Sequence, residues 1–130
     1  MKCDLDILIV DDSEVLQKRL FSLLTTLTSA TEKCIVTASD YDSAILELNK
    51  KKPHVVLLDI NLPGKSGLEI LRVIKNTDKK IKVIMLTNSY SDYYKQICGF
   101  LGAEFFLDKS NHFETIPELL KEILDNKSKN

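Results

Sequence analysis

The feature that most constrains the fold is a regular alternation of short apolar runs with longer amphipathic segments. The apolar runs predict strands at residues 5–10, 33–38, 55–58, 81–86 and 103–107. The amphipathic segments predict helices at residues 13–28, 39–51, 66–76, 89–101 and 116–125. Strands that alternate with helices favour an α/β fold, in which helices cover both faces of a parallel sheet.

Local signals support the predicted helix ends and a single domain. Ser13 is suited to cap the first helix, Gly102 to close the fourth, and Thr115 with Glu118 has capping-box spacing. The chain has 130 residues, which is the size of one domain. We therefore expect one domain over residues 1–130, with a core over about 4–125 and a polar tail at 126–130.

Composition argues against several classes of function. The net charge is −1, so the chain has no strong field for nucleic acid or an anionic membrane. No apolar run approaches the roughly 18 residues of a membrane span, and the N-terminus lacks the apolar stretch of a signal peptide. We therefore expect a cytoplasmic protein. Cys3, Cys34 and Cys98 are expected to be reduced thiols with packing roles.

Reactive side chains follow four of the predicted strands. Asp11 and Asp12 follow the first strand, and Asp59 follows the third. Thr87 follows the fourth, and Lys109 comes shortly after the fifth. Ligands of open parallel sheets bind beyond the carboxyl ends of the strands, so these groups converge if their strands are neighbours. Each acidic residue alone would have an ordinary explanation as a helix cap.

The combination favours a metal-assisted phosphoryl transfer. Two like charges 4 Å apart repel by about 4 kcal/mol at an effective dielectric of about 20, so clustered carboxylates call for a cation. Mg²⁺ prefers carboxylates together with waters and phosphate oxygens. A hydroxyl and an ammonium group could hold the remaining phosphoryl oxygens. Asp59 follows the most apolar strand and is the best candidate for a nucleophile that forms an aspartyl phosphate.

The loop after Asp59 is suited to such a site. Pro63 and Gly64 predict a turn, and Gly67 allows a close approach of the backbone. A rigid turn would let a backbone carbonyl, that of Asn61, face the cation.

These segments together resemble the receiver domains of two-component response regulators. The matching segments span nearly the whole chain: ILIVDDS at 7–13, VVLLDINLPG at 55–64, VIMLT at 83–87, GA at 102–103, and Lys109. The resemblance implies a flavodoxin-like, doubly wound sheet of five strands in the order 2-1-3-4-5.

The resemblance also implies a chemistry. Asp59 would accept phosphate from a phosphohistidine on a histidine kinase or a histidine phosphotransfer protein. Mg²⁺, or Mn²⁺ in its place, would be bound by Asp12, Asp59 and the Asn61 carbonyl, and by Asp11 through water. Thr87 and Lys109 would contact the phosphoryl group.

The family's switch would follow from that chemistry. Thr87 would move toward the phosphoryl group, and Phe106 on strand five would turn inward. The face made by helix four, strand five and helix five would then change its affinity for a downstream protein. The domain would also hydrolyse its own aspartyl phosphate, at a rate tuned by Asn61 and Ser89.

The chain departs from the usual family pattern at three positions. Ser110 stands where proline usually follows the site lysine, so the usual cause of a cis peptide is missing. Asn88 replaces a small residue and could crowd the site. Lys65 adds positive charge near it.

Three hypotheses therefore remain at the level of sequence. The leading one is a stand-alone phosphoacceptor, which acts through protein contacts. A hydrolase of the haloacid dehalogenase type would use similar groups, but its nucleophile ends strand one in a D-x-D pattern, whereas this chain has Asp11-Asp12-Ser13. A pseudo-receiver would keep the fold as a binding module without phosphorylation.

Overall fold

A computed structural model describes residues 5–27, 34–88 and 90–129 of the chain. Within these ranges the strands are β1 (Ile7–Val10), β2 (Ile35–Ala38), β3 (Val55–Asp59), β4 (Lys82–Thr87) and β5 (Phe105–Asp108). The helices are α1 (Glu14–Leu27), α2 (Tyr41–Lys50), α3 (Gly67–Thr77), α4 (Asp92–Phe100) and α5 (Ile116–Lys129). A 3₁₀ turn, Phe113–Thr115, leads into α5.

The strands form one parallel sheet in the predicted order, β2-β1-β3-β4-β5. The central strands β1 and β3 are buried along their whole length, which explains why their sequences are apolar at almost every position. Successive residues point to opposite faces, so Ile7 and Ile9 pack on one side while Leu8 and Val10 pack on the other. The two predicted helical layers therefore have separate apolar cores.

The helices bury their apolar stripes in these two cores. The apolar stripes of α1 and α5 pack on one face of the sheet, whereas those of α2, α3 and α4 pack on the other face. Full burial of a leucine or isoleucine contributes about 1.5–3 kcal/mol, so the stripes fix the helices against the sheet. None of the helices in the described part of the chain combines the length and hydropathy of a bilayer-spanning segment.

The predicted caps at Ser13 and Gly102 are confirmed, and a further cap lies at Asp40. The Ser13 hydroxyl accepts a hydrogen bond from the Leu16 N–H, 3.2 Å away, at the start of α1. Asp40 caps α2 in a capping box with Ser43. Gly102 closes α4 with a φ of 104°, which suits a residue without Cβ.

Other predictions need correction. The helix α5 runs on to Lys129, so residues 126–129 continue it rather than form a polar tail. The apolar periodicity of residues 13–28 predicts that Val15 is buried, but it is 71% exposed. The helix α4 begins at Asp92 after its cap Ser91, so Tyr90 precedes the helix. Each error arose because propensity and periodicity do not fix where a helix starts or how it rolls on the sheet.

The cysteines also differ from the prediction. Cys34 is disulfide-bonded rather than reduced, whereas Cys98 is a buried free thiol. Burial raises the pKa of the Cys98 thiol to about 11, so this side chain is an inert packing group. Cys3, Thr28, Lys33, Ser89 and Asn130 lie outside the described residues.

Candidate functional site

The carboxyl ends of three neighbouring strands bring the central groups of the site together. Asp59 ends β3, and its partner in the register is Leu86 of β4, so Thr87 comes directly after that pair. Asp11 directly follows Val10, which pairs with Leu58 of β3. Asp11, Asp59 and Thr87 are 1%, 4% and 0% exposed, respectively. Polar side chains are rarely so buried unless they are paired, which makes this sheet edge unusual.

Lys109 provides the positive charge of the site. Its Nζ lies 2.6 Å from Asp11 Oδ2 and 3.1 Å from Asp59 Oδ2. Its backbone N–H donates to the carbonyl of Thr87, 3.0 Å away, which anchors the loop after β5 to the end of β4. The lysine side chain is only 9% exposed. One ammonium group therefore holds two buried carboxylates in place.

Burial and the nearby charge of Lys109 act in opposite directions on the pKa of the Asp59 carboxyl. Burial raises the pKa of the Asp59 carboxyl above its ordinary value, although the ammonium of Lys109 acts against this. The neighbouring Asp11 raises that pKa further, and hydrogen bonds from Lys109 and the Asn61 N–H lower it. The Asn61 N–H lies 3.2 Å from Asp59 Oδ1. The site thus holds more negative charge than Lys109 alone neutralises.

The acidic residues also have the arrangement that a hard cation needs. Asp11, Asp12 and Asp59 each offer a carboxylate oxygen, and these oxygens lie within 4.8 Å of one another. Asp12 is exposed, so the cluster is open to solvent on one side. Asp11 Oδ2 is buried and accepts no well-aligned hydrogen bond, although Lys109 Nζ lies close to it as an ion pair. Three carboxylate oxygens close together and an open side fit Mg²⁺.

A tight backbone crossing shapes the loop after Asp59. An ideal Cβ at Gly67 would lie 1.9 Å from the carbonyl oxygen of Asp59, so only glycine fits here. The Gly67 N–H donates to the Ile60 carbonyl, 2.8 Å away. Gly64 has a φ of 76°, as the predicted turn requires. The start of α3 is thereby packed directly against the backbone of the candidate nucleophile.

The structure therefore brings together four of the predicted site residues: Asp11, Asp12, Asp59 and Lys109. Thr87 lies at the same edge of the sheet, fully buried. Asn61 is exposed and contacts Asp59 through its backbone N–H.

Phe106 lies apart from this cluster. It is half-buried on β5, opposite Met85, and packs on the ring of Tyr90 with ring centroids 5.2 Å apart. Tyr90 is 39% exposed and also contacts the ring of His112, 5.8 Å away. The sequence pattern predicts Tyr90 within the helix at residues 89–101 and gives no indication of its contact with His112. Nothing in the sequence pattern could reveal this contact, because it joins two loops.

The three departures from the family pattern have definite surroundings. Cis peptides are absent from the described residues, so Ser110 follows Lys109 through a trans bond. Asn88 is exposed. Lys65 Nζ lies 4.4 Å from the ring centroid of Tyr41, which is a cation–π contact between the loop after β3 and the start of α2.

Gln17 is a further residue that sequence analysis missed. Its side-chain amide donates to the backbone carbonyls of Asp11 and Ala38. The Asp11 N–H donates in turn to the Ala38 carbonyl, 3.0 Å away. This helical side chain therefore joins the loop after β1 to the end of β2, and it holds the backbone that carries Asp11.

Known proteins resemble this chain in sequence and in fold. The model of the response regulator receiver domain family matches residues 7–121. Response regulator Rcp1 of Synechocystis sp. is 32% identical over 90% of this chain and 84% of its own. The solved signal receiver domain of a DNA-binding response regulator from Colwellia psychrerythraea has a TM-score of 0.85 and 28% identity, over 93% of this chain and 98% of its own. The beryllofluoride-activated receiver domain of DrrB has a TM-score of 0.80 and 29% identity, over 93% of this chain and 97% of its own.

Some curated relatives are longer proteins. The alkaline phosphatase synthesis transcriptional regulatory protein PhoP of Bacillus subtilis is 29% identical over 79% of this chain, which spans only 41% of that protein. The phosphate regulon regulator PhoB of Klebsiella pneumoniae is 46% identical over 40% of this chain, which spans 24% of that protein.

Proposed function

We propose, because the chain belongs to the family of response regulator receiver domains, that it accepts a phosphoryl group on the carboxylate of Asp59. The observation that carries this proposal is the pairing of two buried carboxylates, Asp11 and Asp59, with the single ammonium group of Lys109. Such a set of charges is costly to bury and has no evident structural purpose. It becomes useful when an anionic group must be bound and transferred.

In the proposed reaction, an Asp59 oxygen attacks the phosphorus of a phosphohistidine on a histidine kinase or a histidine phosphotransfer protein. An O–P bond forms as the P–N bond breaks, and the departing imidazole nitrogen keeps the electron pair. Asp59 must be ionised to attack, and the nearby Lys109 ammonium favours that form. Lys109 then balances the negative charge on a phosphoryl oxygen.

A bound Mg²⁺ would be held by Asp12, Asp59 and the Asn61 carbonyl, and by Asp11 through water, and would neutralise the phosphoryl oxygens during transfer. The Thr87 hydroxyl would contact a further oxygen. Asn61 and Ser89 would influence how fast water removes the phosphoryl group.

The output would be a change in protein contacts. Thr87 would shift toward the phosphoryl group. Phe106 would then turn from its half-buried position into the space behind Thr87. These movements would alter the face formed by α4, β5 and α5, to which a downstream protein binds. We propose that this occurs in the cytoplasm as a step of a phosphorelay.

The proposal can be tested with a small phosphodonor. We expect intact mass spectrometry to detect one added phosphoryl group after incubation with acetyl phosphate and Mg²⁺. The adduct should disappear with a chelator and in Asp59→Asn. The matched control is Asp78→Asn, which changes a carboxylate at the opposite end of the sheet and should leave the adduct intact. A folded wild-type chain that gains no phosphoryl group would support a pseudo-receiver instead.

A further inference from the structure

The loop after β5 is held by an unusual set of hydrogen bonds around Asp108. The Asp108 N–H donates to Nδ1 of His112, 2.9 Å away, and the His112 N–H donates to the Asp108 carbonyl at the same distance. The Asp108 carboxylate accepts from the Ser110 N–H at 2.8 Å and from the Asn111 amide at 3.1 Å. Every polar group of Asp108 therefore has a partner within the loop.

This arrangement gives a hydrogen-bond partner to an amide at the open edge of the sheet. The strand β5 lies at the edge of the sheet, so the amides that face outward have no strand to pair with. The amide of Lys109 faces β4 and donates to Thr87. Successive amides of a strand point in opposite directions, so the amide of Asp108 faces the open edge. There the imidazole of His112 takes the place of a neighbouring strand.

The same imidazole is also an aromatic contact. Its ring lies at 66° to the ring of Tyr90, with centroids 5.8 Å apart, and Tyr90 packs in turn on Phe106. The next residue, Phe113, lies against the guanidinium of Arg19 on α1, 4.7 Å from the ring centroid. His112 thus contacts both Asp108, which precedes Lys109, and Tyr90 of the aromatic pair.

We propose that His112 is a positioning residue that fixes the loop presenting Lys109 through Asp108 and links this loop to the Tyr90–Phe106 pair. Lys109 must turn from a carboxylate to a phosphoryl oxygen. The rigid ring of His112 then transmits this change in position to the Tyr90–Phe106 pair. The part that concerns phosphorylation rests on the proposed function, whereas the hydrogen bond and the ring contact do not.

Two substitutions separate the two contacts. His112→Asn keeps an acceptor near the position of Nδ1 but removes the ring, whereas His112→Phe keeps a ring and removes the acceptor. The matched control is His54→Phe at the opposite end of the sheet, where Nδ1 of His54 accepts from the Asp6 N–H at 2.8 Å. That variant loses a similar hydrogen bond far from Lys109.

Amide hydrogen exchange and ring signals by NMR give the first test, without any phosphoryl group. We expect exchange at Asp108 to be about tenfold faster in His112→Phe, and to stay near the wild-type rate in His112→Asn and His54→Phe. We expect the ring signals of Tyr90 and Phe106 to shift in His112→Asn. The proposal would be overturned if exchange at Asp108 and both ring signals matched the wild type in both His112 variants.

Phosphorylation by acetyl phosphate gives the second test. We expect His112→Phe to slow the initial rate several-fold, His112→Asn to restore it, and His54→Phe to leave it unchanged. Equal slowing in all three variants would point to a general loss of stability and would overturn the positioning role. If the wild type itself gains no phosphoryl group, the proposed function fails, whereas the amide exchange still decides whether His112 fixes the loop.

Discussion

At the scale of single residues, the site is a balance between burial and charge. Asp59 is 4% exposed and lies beside a second buried carboxylate, that of Asp11. The cost of these charges is offset only in part by the ion pairs to Lys109. If the candidate site carries excess negative charge, it lowers the stability of the fold, and this cost can be measured.

The first prediction concerns Asp59 and pH. Because the pKa of Asp59 is raised above its ordinary value of 3.8, the folded state holds the proton more tightly than the unfolded chain does. The free energy of unfolding should therefore fall as the pH rises from that value through the raised pKa. We expect Asp59→Asn to be more stable than the wild type by about 1 kcal/mol at neutral pH, with the difference vanishing in acid. Urea unfolding over a range of pH, without divalent cations, measures this.

Asp40 is the control, because its pKa is shifted in the opposite direction to that of Asp59. Hydrogen bonds from the Ser43 hydroxyl and the Ser43 N–H lower the pKa of the exposed Asp40 carboxyl. Its stabilising effect is present above the ordinary pKa and is lost as the pH falls through the lowered pKa. Asp40→Asn should therefore be less stable than the wild type at neutral pH. If both variants changed stability in the same direction at neutral pH, the electrostatic account of Asp59 would be wrong.

At the scale of elements, the connection from β3 to α3 is the part of the backbone with the least freedom. The N-terminal residue of α3, Gly67, lies against the carbonyl of Asp59. The helix is held there by its buried face, which includes Ile70, Leu71 and Ile74. A helix with such a face cannot retreat without exposing apolar surface, so any added atom at Gly67 must push the Asp59 backbone.

The second prediction follows from this contact. Gly67→Ala places a Cβ 1.9 Å from the Asp59 carbonyl oxygen, and we expect a loss of about 3 kcal/mol or more in the free energy of unfolding. Gly99→Ala in α4 is the matched control, because nothing lies within 4 Å of its Cβ. That variant should be stabilised by up to about 1 kcal/mol. Equal effects of the two substitutions would contradict the packing at Gly67.

The elements themselves were largely predictable, whereas their orientations were not. Fully buried strands such as β3 are indicated by continuous apolar sequence. Ser13 and Gly102 indicate helix ends through their own local chemistry. By contrast, the exposure of Val15 depends on how α1 rolls against the sheet. The position of Tyr90 depends on a ring contact with Phe106. Such features are decided by tertiary packing, which a single sequence does not encode locally.

At the scale of the whole molecule, the strand order assembles the site. Because β1, β3, β4 and β5 are successive neighbours, their carboxyl ends bring Asp11, Asp59, Thr87 and Lys109 to one edge. The candidate site could therefore be predicted from the rule that ligands bind at such edges. The role of His112 could not, because its hydrogen bond to Asp108 depends on the path of a loop at the edge of the sheet.

The third prediction concerns a divalent cation and the stability of the whole fold. A cation that binds only the folded chain stabilises it by about 1.4 kcal/mol at ten times its dissociation constant. We expect Mg²⁺ to raise the midpoint of thermal unfolding, and Asp12→Asn to weaken this effect without altering the core, since Asp12 is exposed. Asp125→Asn, an exposed acid on α5, is the control and should respond as the wild type does. Equal responses of all three proteins would place the cation elsewhere.

The most direct test of the central claim locates the phosphoryl group in the chain. Borohydride reduces an aspartyl phosphate to homoserine, so the chain would be treated with acetyl phosphate and Mg²⁺, reduced, digested and analysed by peptide mass spectrometry. The account predicts homoserine at position 59 alone, and none without Mg²⁺. Homoserine at Asp11, Asp12 or another acidic residue, with Asp59 unmodified, would contradict it.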